Sequence, residues 1–241
     1  ERIMSVVESE KRLGELVAEH PCYADVFERL GLDYCCGGKQ TLDAACATRG
    51  LQIGSVLDQL HAREALDQTS AIDPAAMSMT ELCDHIEQTH HAYLRAELPF
   101  LQQLLTKVVD RRKDVHPELV GVQRAFELLE SELVPHMFKE ERVLFPMIRQ
   151  LERASDLPMF HCGSIGNPIG MMEMEHDTTS VAMGRMRQLT NGYVAPEDAC
   201  TSFRTLYERL AHFEVDMRSH IHKENNVLFP RALARQAELS S

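Results

Sequence analysis

The chain has 241 residues, of which 44% are hydrophobic and 6% aromatic, enough apolar content for a sizeable core and too much for disorder to be the default. Its 37 acidic residues against 25 basic ones give a net charge of −12, which disfavours a nucleic-acid partner. No apolar run is long enough to span a membrane, the N-terminal stretch has no apolar signal core, and the seven cysteines are odd in number and irregularly spaced. The expectation is a cytoplasmic protein with reduced thiols and no membrane partner.

Residues 1–66 read as a small helical domain. Leu13, Leu16 and Val17 begin one apolar stripe, and Val26, Phe27 and Leu30 a second, closed by Gly31. Cys35-Cys36 then precedes Gly37-Gly38, which predicts a flexible, exposed turn. Thr41 reads as the N-cap of a helix over 42–48, and Ile53, Val56, Leu57 and Leu60 mark one more helix. Residues 67–78, with Pro74, read as a linker.

The remainder, 79–241, predicts an up-down four-helix bundle. Ser78 and Glu81 make a capping box for the first long helix, which runs past Pro99. The second runs from Pro117 to about Leu151, interrupted by Pro135; the third covers about Ile169 to Leu189; the fourth opens at Pro196 and ends near Arg235. The fold class is therefore all-α, a bundle preceded by a small helical domain.

The bundle repeats itself. His136-Met137-Phe138-Lys139-Glu140-Glu141-Arg142-Val143-Leu144-Phe145-Pro146 is matched, 84 residues on, by His220-Ile221-His222-Lys223-Glu224-Asn225-Asn226-Val227-Leu228-Phe229-Pro230. Each motif sets a His and a Glu one helical turn apart on one face. His176, on the third helix, lies 85 residues after His91 on the first, so the bundle reads as two related helix pairs offering four His and two Glu. His90 and His85 rival His91 at this stage. Imidazoles with two carboxylates suit iron, the carboxylates bridging two ions and offsetting their charge. No thiolate is in the motif, which disfavours structural zinc. Glu175 and Asp177 are candidates to orient a ligand imidazole. The two Leu-Phe-Pro segments read as core packing and helix bends that aim the ligands, and Met171, Met172, Met174 and Met183 as adaptable core. His20, His61, His116, His161, His212 and His222 read as solvated. The Cys35 and Cys36 thiols read equally as ordinary reduced cysteines or as groups that exchange disulfides, meet iron or contact a partner.

With these motifs in view the chain resembles the di-iron proteins for repair of iron centres, built on a hemerythrin-like bundle. The resemblance rests on Leu13-Gly14-Glu15-Leu16, on Leu32-Asp33-Tyr34-Cys35-Cys36-Gly37-Gly38-Lys39-Gln40-Thr41-Leu42, on Glu173-x-Glu175-His176-Asp177 and on the His220 to Pro230 motif. It implies His91, His136, His176 and His220 as terminal ligands of two non-haem iron ions and Glu140 and Glu224 as their bridges, with an oxo or hydroxo bridge when oxidised. It selects His91 over His90, although the surrounding Thr89-His90-His91-Ala92 departs from the family pattern. It also implies a cytoplasmic, often dimeric protein that restores iron–sulfur clusters damaged by nitric oxide or peroxide, with Cys35 and Cys36 assisting transfer to the damaged protein. Two alternatives stand beside repair: a nitric oxide or oxygen sink or sensor, and an oxidoreductase that reduces nitric oxide or removes peroxide.

Overall fold

The computed structural model describes residues 9–66 and 73–240. The N-terminal unit folds as α1 (Leu13–Glu19), α2 (Tyr23–Leu30), a short 3-10 turn (Cys36–Lys39), α3 (Leu42–Arg49) and α4 (Ile53–Leu66). Gly31 ends α2 at φ +66°, a left-handed geometry that costs a residue without Cβ little. Thr41 caps α3 by accepting from the Ala44 amide. Leu13, Leu16, Val26, Phe27, Leu42 and Leu60 bury against one another in an apolar cluster of their own.

Four rods form the bundle. The first is α5 (Met79–Ile86), a π-type turn (Glu87–His91) and α6 (Ala92–Arg112). The second is α7 (Glu118–Lys139), a π-type turn (Glu140–Leu144) and α8 (Phe145–Arg153). The third is α9 (Gly166–Leu189), and the fourth is α10 (Thr201–His222), a π-type turn (Lys223–Leu228) and α11 (Phe229–Leu239). α7 packs between α6 and α9, α10 packs on α6, and α8 packs on α5 and α11. The Ser78–Glu81 capping box is present, and Glu152 of α8 accepts from the Met79 and Thr80 amides at the same helix start.

Some boundaries differ from the sequence reading. Pro135 sits inside an unbroken α7, tolerated where tertiary packing holds the helix on both sides. α10 begins at Thr201 rather than at Pro196. Of the linker 67–78, residues 67–72 lie outside the described residues, and 74–76 form a turn.

The Leu-Phe-Pro segments do more than bend. Pro146 and Pro230 each enter a helix immediately after a π-type turn. Proline has no N–H to offer the carbonyl four residues back, and its ring crowds that carbonyl. The carbonyls concerned, on Arg142 and Asn226, lie within the widened turns. The extra residue in each turn relieves the clash and re-aims the side chains that follow α7 and α10.

Two apolar clusters fill the bundle. Leu94, Leu101, Phe126, Leu133, Met183, Leu210 and Phe213 belong to one, and Leu82, Ile86, Phe145, Ile148, Ile169, Met172, Leu228 and Phe229 to the other. Along every rod the passage from one cluster to the other crosses a polar layer: His91 between Ile86 and Leu94, Glu140 between Met137 and Leu144, His176 between Met172 and Ala182, Glu224 between Ile221 and Val227.

The N-terminal unit docks on this layer from outside. Asn226, on the last π-type turn, donates to the Tyr34 and Cys35 carbonyls at 3.2 and 3.1 Å. Its side chain enters a slot between Gly14 and Gly38, where an added Cβ would stand 2.3 and 2.6 Å from the Asn226 Oδ1. Beside it, Arg218 of α10 reaches Glu214 at 2.8 Å, Glu28 of α2 at 3.6 Å and Asp33 at 3.9 Å.

Candidate metal centre

The six residues singled out in the bundle come together in one place. His91, His136, Glu140, His176, His220 and Glu224 are all 0–3% exposed. His91 Nε2 lies 3.3 Å from one Glu140 oxygen, and His136 Nε2 lies 3.2 Å from the other. His220 Nε2 lies 3.0 Å from one Glu224 oxygen, and His176 Nε2 lies 3.1 Å from the other. The imidazoles pair off across the layer, His91 with His220 at 3.2 Å and His136 with His176 at 3.1 Å between Nε2 atoms. Each carboxylate thus divides its two oxygens between two imidazole pairs. The result is two groups, His91-His220-Glu140-Glu224 and His136-His176-Glu140-Glu224, sharing both carboxylates, with the ligating atoms of each group within 4.8 Å of one another.

The chemistry of this donor set fits cations. His91 Nδ1 meets the Glu141 carboxylate at 2.7 Å, His136 Nδ1 meets Glu175 at 2.7 Å, and His176 Nδ1 meets the Asn225 Oδ1 at 2.8 Å. An acceptor on Nδ1 places the proton there and leaves the Nε2 lone pair bare, facing inward. Both oxygens of Glu140 and one of Glu224 are buried without a hydrogen-bond partner among the described residues. Bare nitrogen lone pairs packed against unpaired carboxylate oxygens repel one another unless a positive charge lies among them.

The electrostatics carry the same message. Burial opposes the charged form of His136, yet Glu140, Glu224 and Glu175 outweigh it and lift the imidazole to about 9. His91 and His176 are raised against burial too, by Glu140 and by Glu224 respectively. Burial would raise both carboxylates, but the surrounding imidazoles hold Glu140 below the ordinary range and Glu224 well below it. The cavity draws protons to its imidazoles where a metal would otherwise supply the charge.

Sequence reasoning missed two neighbours of the ligands. Glu141, clamped by Arg95, holds His91, and Asn225 holds His176. Each immediately follows a proposed bridging Glu, and that repeated register was the available signal. Glu175 orients His136 as expected and is clamped by Lys139, whereas Asp177 lines a cleft beside Cys36 instead. His90, the rival of His91, turns out of the centre: its ring stacks on His220 at 5.2 Å, and its nitrogens meet Asp216 at 2.8 Å and Lys223 at 2.6 Å.

The cysteine turn is not exposed. Cys35 is 1% exposed and Cys36 is half-buried, because Asp33 gathers the Cys35 and Cys36 amides and the Cys35 thiol, and Asn226 holds the turn to the bundle. Cys36 Sγ lies 3.5 Å from the His176 carbonyl and accepts from Ser180 at 3.0 Å. Hydrogen bonding between the thiols pushes Cys35 up, with burial adding to it, and lowers Cys36, with Ser180 assisting. His222, read as solvated, is buried edge-on to Tyr34 at 5.5 Å. Met172 and Met183 are core, whereas Met171 and Met174 face solvent.

The family model described as "Hemerythrin HHE cation binding domain" matches residues 84–232, which contain all six of these residues. The chain belongs to the hemerythrin HHE family. A second model, of a domain of unknown function (DUF542), matches residues 9–64 of this HHE-family chain. Among curated proteins it is 37% identical over 224 residues to the iron-sulfur cluster repair protein YtfE of Dickeya chrysanthemi, covering 93% of this chain and 97% of that one. It is 35% identical to the protein of the same description from Enterobacter sp. (strain 638) and 36% to that from Escherichia coli O157:H7, each over 92% of this chain and 96% of the relative. No helix of this HHE-family chain is long and apolar enough, among the described residues, to cross a membrane.

Proposed function

We propose that this chain is a di-iron protein that repairs iron–sulfur clusters damaged by nitrosative or oxidative stress. His91 and His220 would hold one iron and His136 and His176 the other, with Glu140 and Glu224 bridging both. The observation that carries this reading is the sharing of each carboxylate between two imidazole pairs. One ion would use one oxygen of each Glu; two ions use all four. The repair function rests on the likeness to proteins so described, which runs through both parts of the chain. On this reading 1–66 is the cysteine-bearing unit, 79–241 the metal-bearing bundle, and the client a damaged iron–sulfur protein met in the cytoplasm.

A ferrous pair held by these residues would supply two metals able to bind small ligands. The chain's own residues do the rest. Glu141, Glu175 and Asn225 fix the imidazoles by their Nδ1 protons. The two apolar clusters exclude water on either side of the polar layer. Asn226 and Asp33 set the Cys36 thiol beside the His176 segment, where it can receive iron cargo or contact the client. Restoration of activity to a dehydratase whose cluster has been broken by nitric oxide tests the reading: the loaded protein restores it, and the Glu140→Ala, Glu224→Ala double variant does not. Repeated nitrous oxide production on mixing with nitric oxide, without restoration, would replace repair by reductase chemistry, and stoichiometric capture alone would replace it by a sink. A Cys35→Ala, Cys36→Ala variant that kept full restoring activity would remove the thiols from the process.

A further inference from the structure

The internal repeat extends beyond the ligands to the residues that hold them, and in one place it breaks. Glu141 of the second rod accepts from His91 of the first, and Asn225 of the fourth accepts from His176 of the third. These are equivalent positions, 84 residues apart. Glu175 of the third rod accepts from His136 of the second and is clamped by Lys139. The repeat places the counterparts of Lys139 and His136 at Lys223 and His220, and the counterpart of Glu175 at position 90. Position 90 is His90, and Lys223 contacts it as Lys139 contacts Glu175.

An imidazole there cannot do the work of the carboxylate. One His90 nitrogen is given to Asp216 and the other to Lys223, and the ring lies flat on His220, 5.2 Å away with 2° between planes. His220 Nδ1 is accordingly buried without a partner among the described residues, alone among the four imidazoles. A ligand imidazole whose outer N–H lacks an acceptor is the less basic donor and is less firmly oriented. The outward side of this half is also open: His90, Tyr93, Asp216 and Ser219 line a cleft of about 490 Å³. The other half carries the cysteine turn, with Cys36 against the His176 carbonyl, and a smaller cleft of about 290 Å³ beside it.

We infer that the two metal positions are unequal, that the ion held by His91 and His220 is the exchangeable one, and that His90 makes it so by occupying the place of an acceptor for His220. This deepens the di-iron reading, on which it rests, by naming which iron is available for delivery. His90 is a positioning residue here, acting on the metal through His220.

Release of ferrous iron from the anaerobically loaded full chain to an excess of ferrozine tests it without any client protein. The wild type is expected to lose one equivalent quickly and the second slowly. His90→Glu, which supplies the missing carboxylate opposite Lys223, slows the fast phase about 10-fold or more and leaves the slow phase in place; Glu175→Gln speeds the slow phase by a similar factor, the range seen for such outer partners. Both equivalents leaving the wild type in one phase would overturn the inference, as would a fast phase that responds to Glu175→Gln and ignores His90→Glu. A chain that released iron in the expected order yet restored no damaged cluster would sink the repair function and leave the ordering intact.

Discussion

The proton and the metal compete for the same residues, and that competition is readable in stability. In the metal-free chain His136 titrates near 9, against an ordinary imidazole value of 6.5. A folded-state value above the unfolded one means that charged His136 stabilises the fold fully below about 6.5, and that this support is lost as pH rises through about 9. A bound cation replaces the proton and removes the dependence. Thermal melts of the metal-free protein should therefore lose stability between pH 6.5 and 9, while the loaded protein shows no such loss over that interval; equal slopes for the two forms would contradict it. His136, Glu140, His220 and Glu224 were legible in the sequence because two copies of one motif kept their spacing, whereas His91 was separated from His90 only by the family resemblance. Glu141 and Asn225 were not legible, since an acidic or amide residue beside a ligand is common on any helix and only the packing of neighbouring rods shows which imidazole it meets. His222 was misread for a related reason: its partner Tyr34 lies far away in the chain.

The elements that matter most are those that depart from ideal helix. Three of the six proposed ligands, His91, Glu140 and Glu224, lie on π-type turns, and two of those turns are followed by proline. The apolar spacing disclosed the rods, and the prolines disclosed bends, but periodicity cannot show that a bend is a widened turn carrying an extra residue. The last of these turns also carries Asn226, the clasp on the N-terminal unit. Asn226→Ala leaves the Tyr34 and Cys35 carbonyls without this donor, at a cost of about 1–3 kcal/mol. It should speed alkylation of Cys36 by iodoacetamide and bring proteolysis of the N-terminal unit ahead of the bundle. Gly38→Ala attacks the same joint from the other side, since its Cβ would stand 2.6 Å from Asn226 Oδ1, and should give the same outcome. Unchanged Cys36 reactivity in both variants would mean that the clasp does not hold the turn.

Across the whole molecule, the N-terminal unit and the bundle are joined by buried charge as well as by the clasp. Glu214 is fully buried and receives Arg187 and Arg218; Arg218 also faces Glu28 and Asp33 of the N-terminal unit. Removing one member of such a network strands the others, so Arg218→Met should cost about 3–5 kcal/mol in denaturant unfolding, where an isolated surface arginine would cost under about 1 kcal/mol. The same variant frees Asp33 to move, and with it both cysteines. The sequence showed a thiol-bearing part and a metal-bearing part; it did not show that they share a face, because the residues that join them are single polar positions with no period. Two irons clasped between Glu140 and Glu224 would be the centre of the whole molecule. Mössbauer spectra and iron analysis of protein purified without oxygen should give two irons per chain in a magnetically coupled pair for the wild type, and loss of the coupled signal in Glu224→Ala. A single uncoupled iron in the wild type, or a coupled pair that survives Glu224→Ala unaltered, would contradict it.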